Sequence, residues 1–144
     1  MSVQQISVFL ENKPGTLKKM TGILAANGID LRATSVAETK DFGIARLIVD
    51  DAMSAVNTLK ENDFVARLTP VLAIEIPDEA GGLDKLLDIF AEAQVNIEYM
   101  YAFPGGKQVD KAVMIFRVAD TKAAEARLTG KGAKILNQED IAQI

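Results

Sequence analysis

The feature that most constrains this chain is that it repeats itself. Displaced by 66 positions, "ISVFLENKPGTLKKMTGILAANGIDL" (residues 6–31) lies on "LAIEIPDEAGGLDKLLDIFAEAQVNI" (residues 72–97), with Gly15 on Gly81, Leu17 on Leu83, Met20 on Leu86, Leu24 on Phe90 and Leu31 on Ile97. Further along the displacement becomes 69, so "IARLIVDDAMSAVNTL" lies on "VMIFRVADTKAAEARL" and the second copy carries three more residues near "PGGKQ" (104–108). An insertion of that kind belongs in a loop, here a hairpin turn. The 144 residues therefore read as two small units of about 70 residues each, residues 1–69 and 70–144, joined at Thr69 and Pro70.

Each copy has the same local grammar. Ile6, Val8 and Leu10 alternate with Gln5, Ser7 and Phe9, and Leu72, Ile74 and Ile76 alternate with Ala73 and Glu75, the pattern of strands with one core-facing side. Leu17, Met20, Ile23 and Leu24 then recur at helical spacing, as do Leu83, Leu86, Ile89 and Phe90. Gly28 stands where a helix closes through a left-handed residue, whereas Gln94 takes that place in the second copy and must end its helix differently or under strain. Two strands follow in each copy, then a short helix opened by Asp51 or Asp120 as N-cap, then a closing strand. The order βαββαβ, twice, predicts an α+β protein of two ferredoxin-like units, each an antiparallel sheet with both helices on one face. The opposite face of the first sheet mixes Val3, Phe9, Ile44 and Ile48 with Gln5, Ser7 and Arg46. A sizeable apolar patch there would need cover from a partner.

Composition removes several functions. There is no cysteine and no histidine, which excludes disulfides, thiolate chemistry, most zinc sites and the usual general base; no cofactor or metal is expected. Sixteen basic residues against twenty acidic give a net charge of −4, with Lys and Arg scattered singly, so nucleic acid is not an expected partner. No apolar run approaches the roughly 20 residues that cross a bilayer, and the start of the chain does not read as a signal peptide. No membrane association and a cytoplasmic location are the expectation.

"ENKPGTLKKMTGILAANGIDL" (residues 11–31) resembles the opening of the ACT domain, a small regulatory module attached to many enzymes of amino-acid metabolism. Its signature is a strand, an acidic or amide residue, Pro-Gly-x-Leu, a helix, and Gly-[Ile/Val]-[Asn/Asp]-[Ile/Leu]. The first copy carries it through Asn12, Pro14, Gly15, Leu17, Gly28, Ile29, Asp30 and Leu31. The second retains Asp78, Gly81, Leu83, Val95, Asn96 and Ile97, with Ala80 in place of the proline and Gln94 in place of the glycine. The resemblance covers nearly the whole chain. It implies a stand-alone tandem ACT protein without catalytic residues, its units paired side by side. A free amino acid would be held between ACT units as effector. The partner would be a second copy, in a homodimer, or an enzyme of amino-acid metabolism in trans. A small enzyme on this scaffold, or an interaction module without ligand, is the alternative.

Carried over by position, the loop amide or acid and the residue opening the second strand are Asn12 with Asp30 in one copy and Asp78 with Asn96 in the other. The backbone chemistry agrees. Gly15, Thr16 and Leu17 open a helix whose first N–H groups lack intrahelical partners, and a ligand carboxylate satisfies such groups. Gly81, Gly82 and Leu83 offer the same in the second copy. The candidate ligand-binding residues are thus Asn12, Lys13, Pro14, Gly15, Thr16, Leu17, Asp30, Leu31, Asp78, Gly81, Gly82, Leu83, Asn96, Ile97 and Tyr99. A plainer reading has Asn12 and Asp78 only capping helices. Tyr99, Tyr101 and Phe103 share one side of a strand where the first copy has Ala33, Ser35 and Ala37, either as a pocket wall or as packing beneath a helix.

Overall fold

The computed structural model describes residues 2–38, 40–103 and 109–144; the "PGGKQ" insertion lies outside the described residues. Its elements are β1 (Val3–Glu11), α1 (Thr16–Ala26), β2 (Leu31–Glu38), β3 (Phe42–Val49), α2 (Ala52–Glu61), β4 (Val65–Pro77), α3 (Gly82–Glu92), β5 (Tyr99–Phe103), β6 (Lys111–Arg117), α4 (Thr121–Gly130), β7 (Lys134–Leu136) and α5 (Gln138–Gln143). Two compact units result, Gln4–Thr69 and Pro70–Ile144, the residues up to Val3 grouping with the second. Thr69 and Pro70 fall inside β4 and not in a turn. Pro70 brings no N–H to a strand ladder, and its carbonyl accepts from Arg117 Nη1 at 2.8 Å.

In the first unit β2, β3, β1 and β4 lie in that order. The antiparallel register sets Ile6 opposite Leu47, Phe9 opposite Ile44 and Val36 opposite Ala45. Alternation then sends Ile6, Val8 and Leu10 toward the helices, where they pack with Met20 and Leu24 of α1 and with Val56 and Leu59 of α2. Each such side chain contributes about 1.5–3 kcal/mol by leaving water. The second unit repeats the arrangement with β7, β4, β6 and β5. Leu72, Ile74 and Ile76 meet Leu86, Phe90, Phe116 and Leu128 in its core, and the Phe90 and Phe116 rings lie 4.7 Å apart.

Helix ends follow the sequence signals. Asp51 Oδ1 accepts from Ser54 N at 3.1 Å and Asp120 Oδ1 from Ala123 N at 3.0 Å, caps that contribute about 1 kcal/mol each. α1 ends through Gly28 at φ 68°, and α3 ends the same way through Gln94 at φ 55°. The closing bonds match: Gly28 N to Ala25 O at 3.1 Å and Ile29 N to Leu24 O at 3.0 Å, against Gln94 N to Ala91 O at 3.1 Å and Val95 N to Phe90 O at 3.0 Å. Gln94 therefore accepts the strain and keeps the geometry.

Three expectations need correction. α5 was not anticipated, because six residues are too few for a helical period to show; its signal was the Asn137–Asp140 capping box. Leu17 does not join the core stripe of α1 but stands 45% exposed. The sheet face away from the helices is mostly covered already: Val3, Gln5, Ser7 and Ile48 are buried within the single chain, leaving Phe9 and Phe42 as its exposed aromatics. The polar members of that face satisfy one another, with Gln5 Nε2 donating to Ser7 Oγ at 3.0 Å and the Ser7 and Thr69 hydroxyls 2.9 Å apart.

Candidate functional site

β1 ends at Glu11, and the chain turns through a short loop before α1 begins at Thr16. Asn12 N donates to Asp41 O at 2.9 Å and Lys13 N to Glu11 O at 3.0 Å, which pins the loop against the start of β3. Gly15 then takes φ 90°, ψ −15° as the N-cap, and no side chain caps the helix. A left-handed residue at this point is a glycine's place. The amides that follow have no side chain spanning them, at the positive end of the helix. Asn12 is no cap: its Nδ2 reaches away to Glu38 Oε2 at 2.9 Å and Lys40 O at 3.4 Å. Thr16 Oγ1 is buried and, among the described residues, has no hydrogen-bond partner. A buried hydroxyl left without a partner costs about 1–3 kcal/mol.

Two cavities flank this corner. One, of about 590 Å³, lies between Lys13–Thr16 and Phe9, Phe42, Phe64 and Val65. The other, of about 270 Å³, lies between Asn12, Thr16 and Leu17 on one side and Val36 and Glu38 on the other. Thr16 lines both. Leu17, expected in the core, is instead apolar lining of the smaller one.

Asp30 and Leu31 lie elsewhere. Asp30 N donates to Asp50 Oδ1 at 3.2 Å, and the Asp30 carboxylate holds Arg32 Nη1 at 3.1 Å. Asn12 sits by Glu38, at the far end of β2, so eight residues of strand separate the two groups. At about 3.3 Å per residue that is roughly 25 Å. Leu31 packs against the core. In the second unit Asp78 N is held by Asp110 O at 2.9 Å, whereas Asn96 and Ile97 precede β5 at the end where Glu98 N meets Arg117 O at 2.9 Å. Ile97 packs on the core of that unit. Tyr99 pairs with Arg117 and Tyr101 with Ile115. Met100 faces the helices, so alternation sends Tyr99, Tyr101 and Phe103 to the face away from α3 and α4, not beneath them.

The second corner has the same backbone and a different load. Gly81 is the N-cap at φ 86°, again without a side-chain cap. Gly82, at the position of Thr16, has no room for a side chain: a Cβ there would clash with Pro77 O. Asp84 occupies the first turn of α3, where α1 has Lys18. Leu83 packs on the core. Where the first unit has Phe9, Phe42 and Val65, the second has Glu75, Lys111 and Lys134. Lys134 Nζ binds Glu75 Oε1 at 2.8 Å. Hydrogen bonding to that carboxylate raises the Lys134 pKa above its ordinary value.

Sequence reasoning missed Lys19, Asn62, Asp63 and Phe64 as lining of the larger cavity. One signal was available in the repeat: Asp63, at φ 67°, stands where the second copy has Gly132, at φ 95°. Among the described residues no group of three or more His, Cys, Asp or Glu is placed to hold a metal ion. Among them too, no helix is long and apolar enough to cross a membrane.

Comparison with known proteins bears on the whole chain. A family model described as an ACT domain pair matches residues 1–144. The crystal structure of a Bacteroides thetaiotaomicron protein shares 36% identity over 100% of this chain and 98% of that one, with a TM-score of 0.91. The ligand-free regulatory subunit of aspartate kinase from Thermus thermophilus aligns at 20% identity over 91% of each chain, TM-score 0.66. That of Thermus flavus aligns at 19% over 90% of each, TM-score 0.62. No curated protein matches significantly.

Proposed function

The chain belongs to the ACT domain pair family, and from that premise we propose that it is a regulatory protein that binds a free amino acid at the corner Glu11–Leu17. The observation that carries this reading is the opening of α1: a left-handed glycine, no side-chain cap, and a buried Thr16 hydroxyl without a partner among the described residues. A carboxylate placed there would accept from the backbone amides that open α1, which no side chain caps. Asp84 in the first turn of α3 opposes an anion there, whereas the first turn of α1 carries no acidic residue. The first corner is thus the stronger site, and Asp78, Gly81, Gly82 and Leu83 form the weaker one.

A ligand touching both an Asn12-type and an Asp30-type residue has to be shared between two ACT units, since one unit holds them at opposite ends. The protein acts without catalysis of its own, as a homodimer or on an enzyme of amino-acid metabolism, in the cytoplasm. The likeness to aspartate kinase regulatory subunits supports a regulatory role. The test is thermal unfolding of the full chain with each of the twenty amino acids. At least one should raise the melting temperature, as any ligand of the native state must. Gly15→Asp should abolish that rise, while Gly15→Ala, which strains the same backbone without adding charge, keeps it. Equal loss in both variants would point to strain and remove the carboxylate from this corner.

A further inference from the structure

The larger cavity carries more than the backbone corner does. We propose that it receives the side chain of the bound amino acid, and that the ligand is therefore an apolar one, aromatic or large and branched; this rests on the amino-acid-binding reading above. Phe9, Phe42 and Val65 are 45%, 59% and 66% exposed, and all three open on the one cavity, with Phe64 beside them. Single exposed apolar residues are ordinary. Three around one space are not scattered, and they mark a surface that meets something apolar.

The second copy supplies the control within the same molecule. At the four matching positions it has Glu75, Lys111, Ala133 and Lys134, of which Glu75 and Lys134 form the 2.8 Å ion pair. The fold therefore does not require apolar residues there, and the first unit keeps them without structural need. The volume of about 590 Å³ is that of a small-molecule site, which commonly spans 300–1,000 Å³.

Charge decides the occupant. The cavity is apolar along Phe9, Phe42 and Val65 but ionic at its rim, where Lys13 Nζ meets Glu11 Oε2 at 2.9 Å and Lys19 Nζ stands 5.8 Å from the Phe64 ring centre. Gly15 and Thr16, the N-cap and the first residue of α1, line the same cavity. A zwitterion with an apolar side chain matches both halves: carboxylate to the amides and Lys19, ammonium to Glu11, side chain among the rings. A serine, aspartate or lysine leaves the rings wet or strands its own polar group.

The experiment is isothermal titration of the full chain with L-phenylalanine, L-leucine, L-serine, L-aspartate and L-lysine, repeated on Phe42→Lys and Val65→Lys. Both positions are exposed, so both variants should fold with an unchanged melting temperature. Expected is binding of L-phenylalanine or L-leucine at least tenfold tighter than of the polar three, reduced at least tenfold by each variant and untouched by Lys111→Phe in the second unit. Tight binding of a polar amino acid that neither variant disturbs overturns the assignment of the cavity while leaving the regulatory reading standing. Silence from all five in the titration overturns the assignment of the cavity, and silence from all twenty in thermal unfolding overturns the regulatory reading with it. Preference for an apolar amino acid that survives both substitutions also overturns it, because the selectivity would then lie elsewhere.

Discussion

The corner at Glu11–Leu17 and the corner at Pro77–Leu83 are built on one backbone and do different things with it. Asn12 N to Asp41 O and Asp78 N to Asp110 O are both 2.9 Å, and Gly15 and Gly81 share a left-handed turn at φ 90° and 86°. The side chains then diverge. One corner presents Thr16 and a cavity of about 590 Å³; the other packs Gly82 against a carbonyl, sets Asp84 at its helix start and pairs Glu75 with Lys134. The two copies share the hydrogen-bonded frame and differ in the side chains set on it.

The largest effect expected from breaking that contrast is at Gly82. An added Cβ would clash with the backbone oxygen of Pro77, and a main-chain atom cannot turn aside as the tip of a side chain can. Gly82→Ala should lose about 1–3 kcal/mol, as overpacking does, read as a lower denaturant midpoint at unchanged slope. Thr16→Ala at the matching position removes a hydroxyl that has no partner among the described residues, recovering its cost of about 1–3 kcal/mol against a lost methyl worth about 0.8 kcal/mol, so the variant should be at least as stable as the parent. Similar losses for the two would mean that the corners are equally tight and that the difference in room is not real.

A smaller effect separates the two helix ends. Gly28 and Gln94 both stand at positive φ with the same closing bonds, and a side chain there costs about 1 kcal/mol relative to glycine. Gly28→Gln should therefore destabilise by about 1 kcal/mol, and Gln94→Gly should stabilise by somewhat less, because glycine also frees the unfolded chain. If Gln94→Gly destabilises, the Gln94 side chain makes a contact that outweighs the strain, and the two ends are not equivalent.

Backbone order was legible because it is periodic and occurs twice. Alternation at Ile6, Val8 and Leu10 and the stripe at Met20 and Leu24 each recur 66 positions on, so the βαββαβ order was fixed by two independent copies. The cap at Asp51 needed only local chemistry. α5, by contrast, occurs once and is short. The cavity was illegible for another reason: Phe9, Phe42 and Val65 come from three strands, and only the strand order brings them to one space. The separation of Asn12 from Asp30 was hidden likewise, because a motif written along the chain does not say that a strand carries its halves to opposite ends. Leu17 fitted the helical period yet turned outward, since the period fixes a stripe but not how far the neighbouring strand extends to cover it.

The smallest expected effect lies in the ion pair that stands where the first unit has Phe9 and Val65. Lys134 is largely exposed and Glu75 is mostly covered, with side-chain exposures of 66% and 15%, so the pair is screened on one side and its contribution is slight. Its pH dependence is nevertheless distinctive. The carboxylate of Glu75 raises the Lys134 pKa, so the folded chain holds that proton more tightly than the unfolded one. The contribution is complete below the unfolded lysine value of about 10.4 and fades as pH rises through the folded value above it. Melting temperatures of the parent and of Lys134→Met should accordingly differ by a small constant amount from neutral pH to about 9 and converge above about 10.4. The first unit has Phe9 and Val65 at these positions, so Val65→Met should show no such convergence. A gap that closes equally in both variants would assign the alkaline transition to other groups, and the contrast between a sealed and an open sheet face would then rest on packing alone.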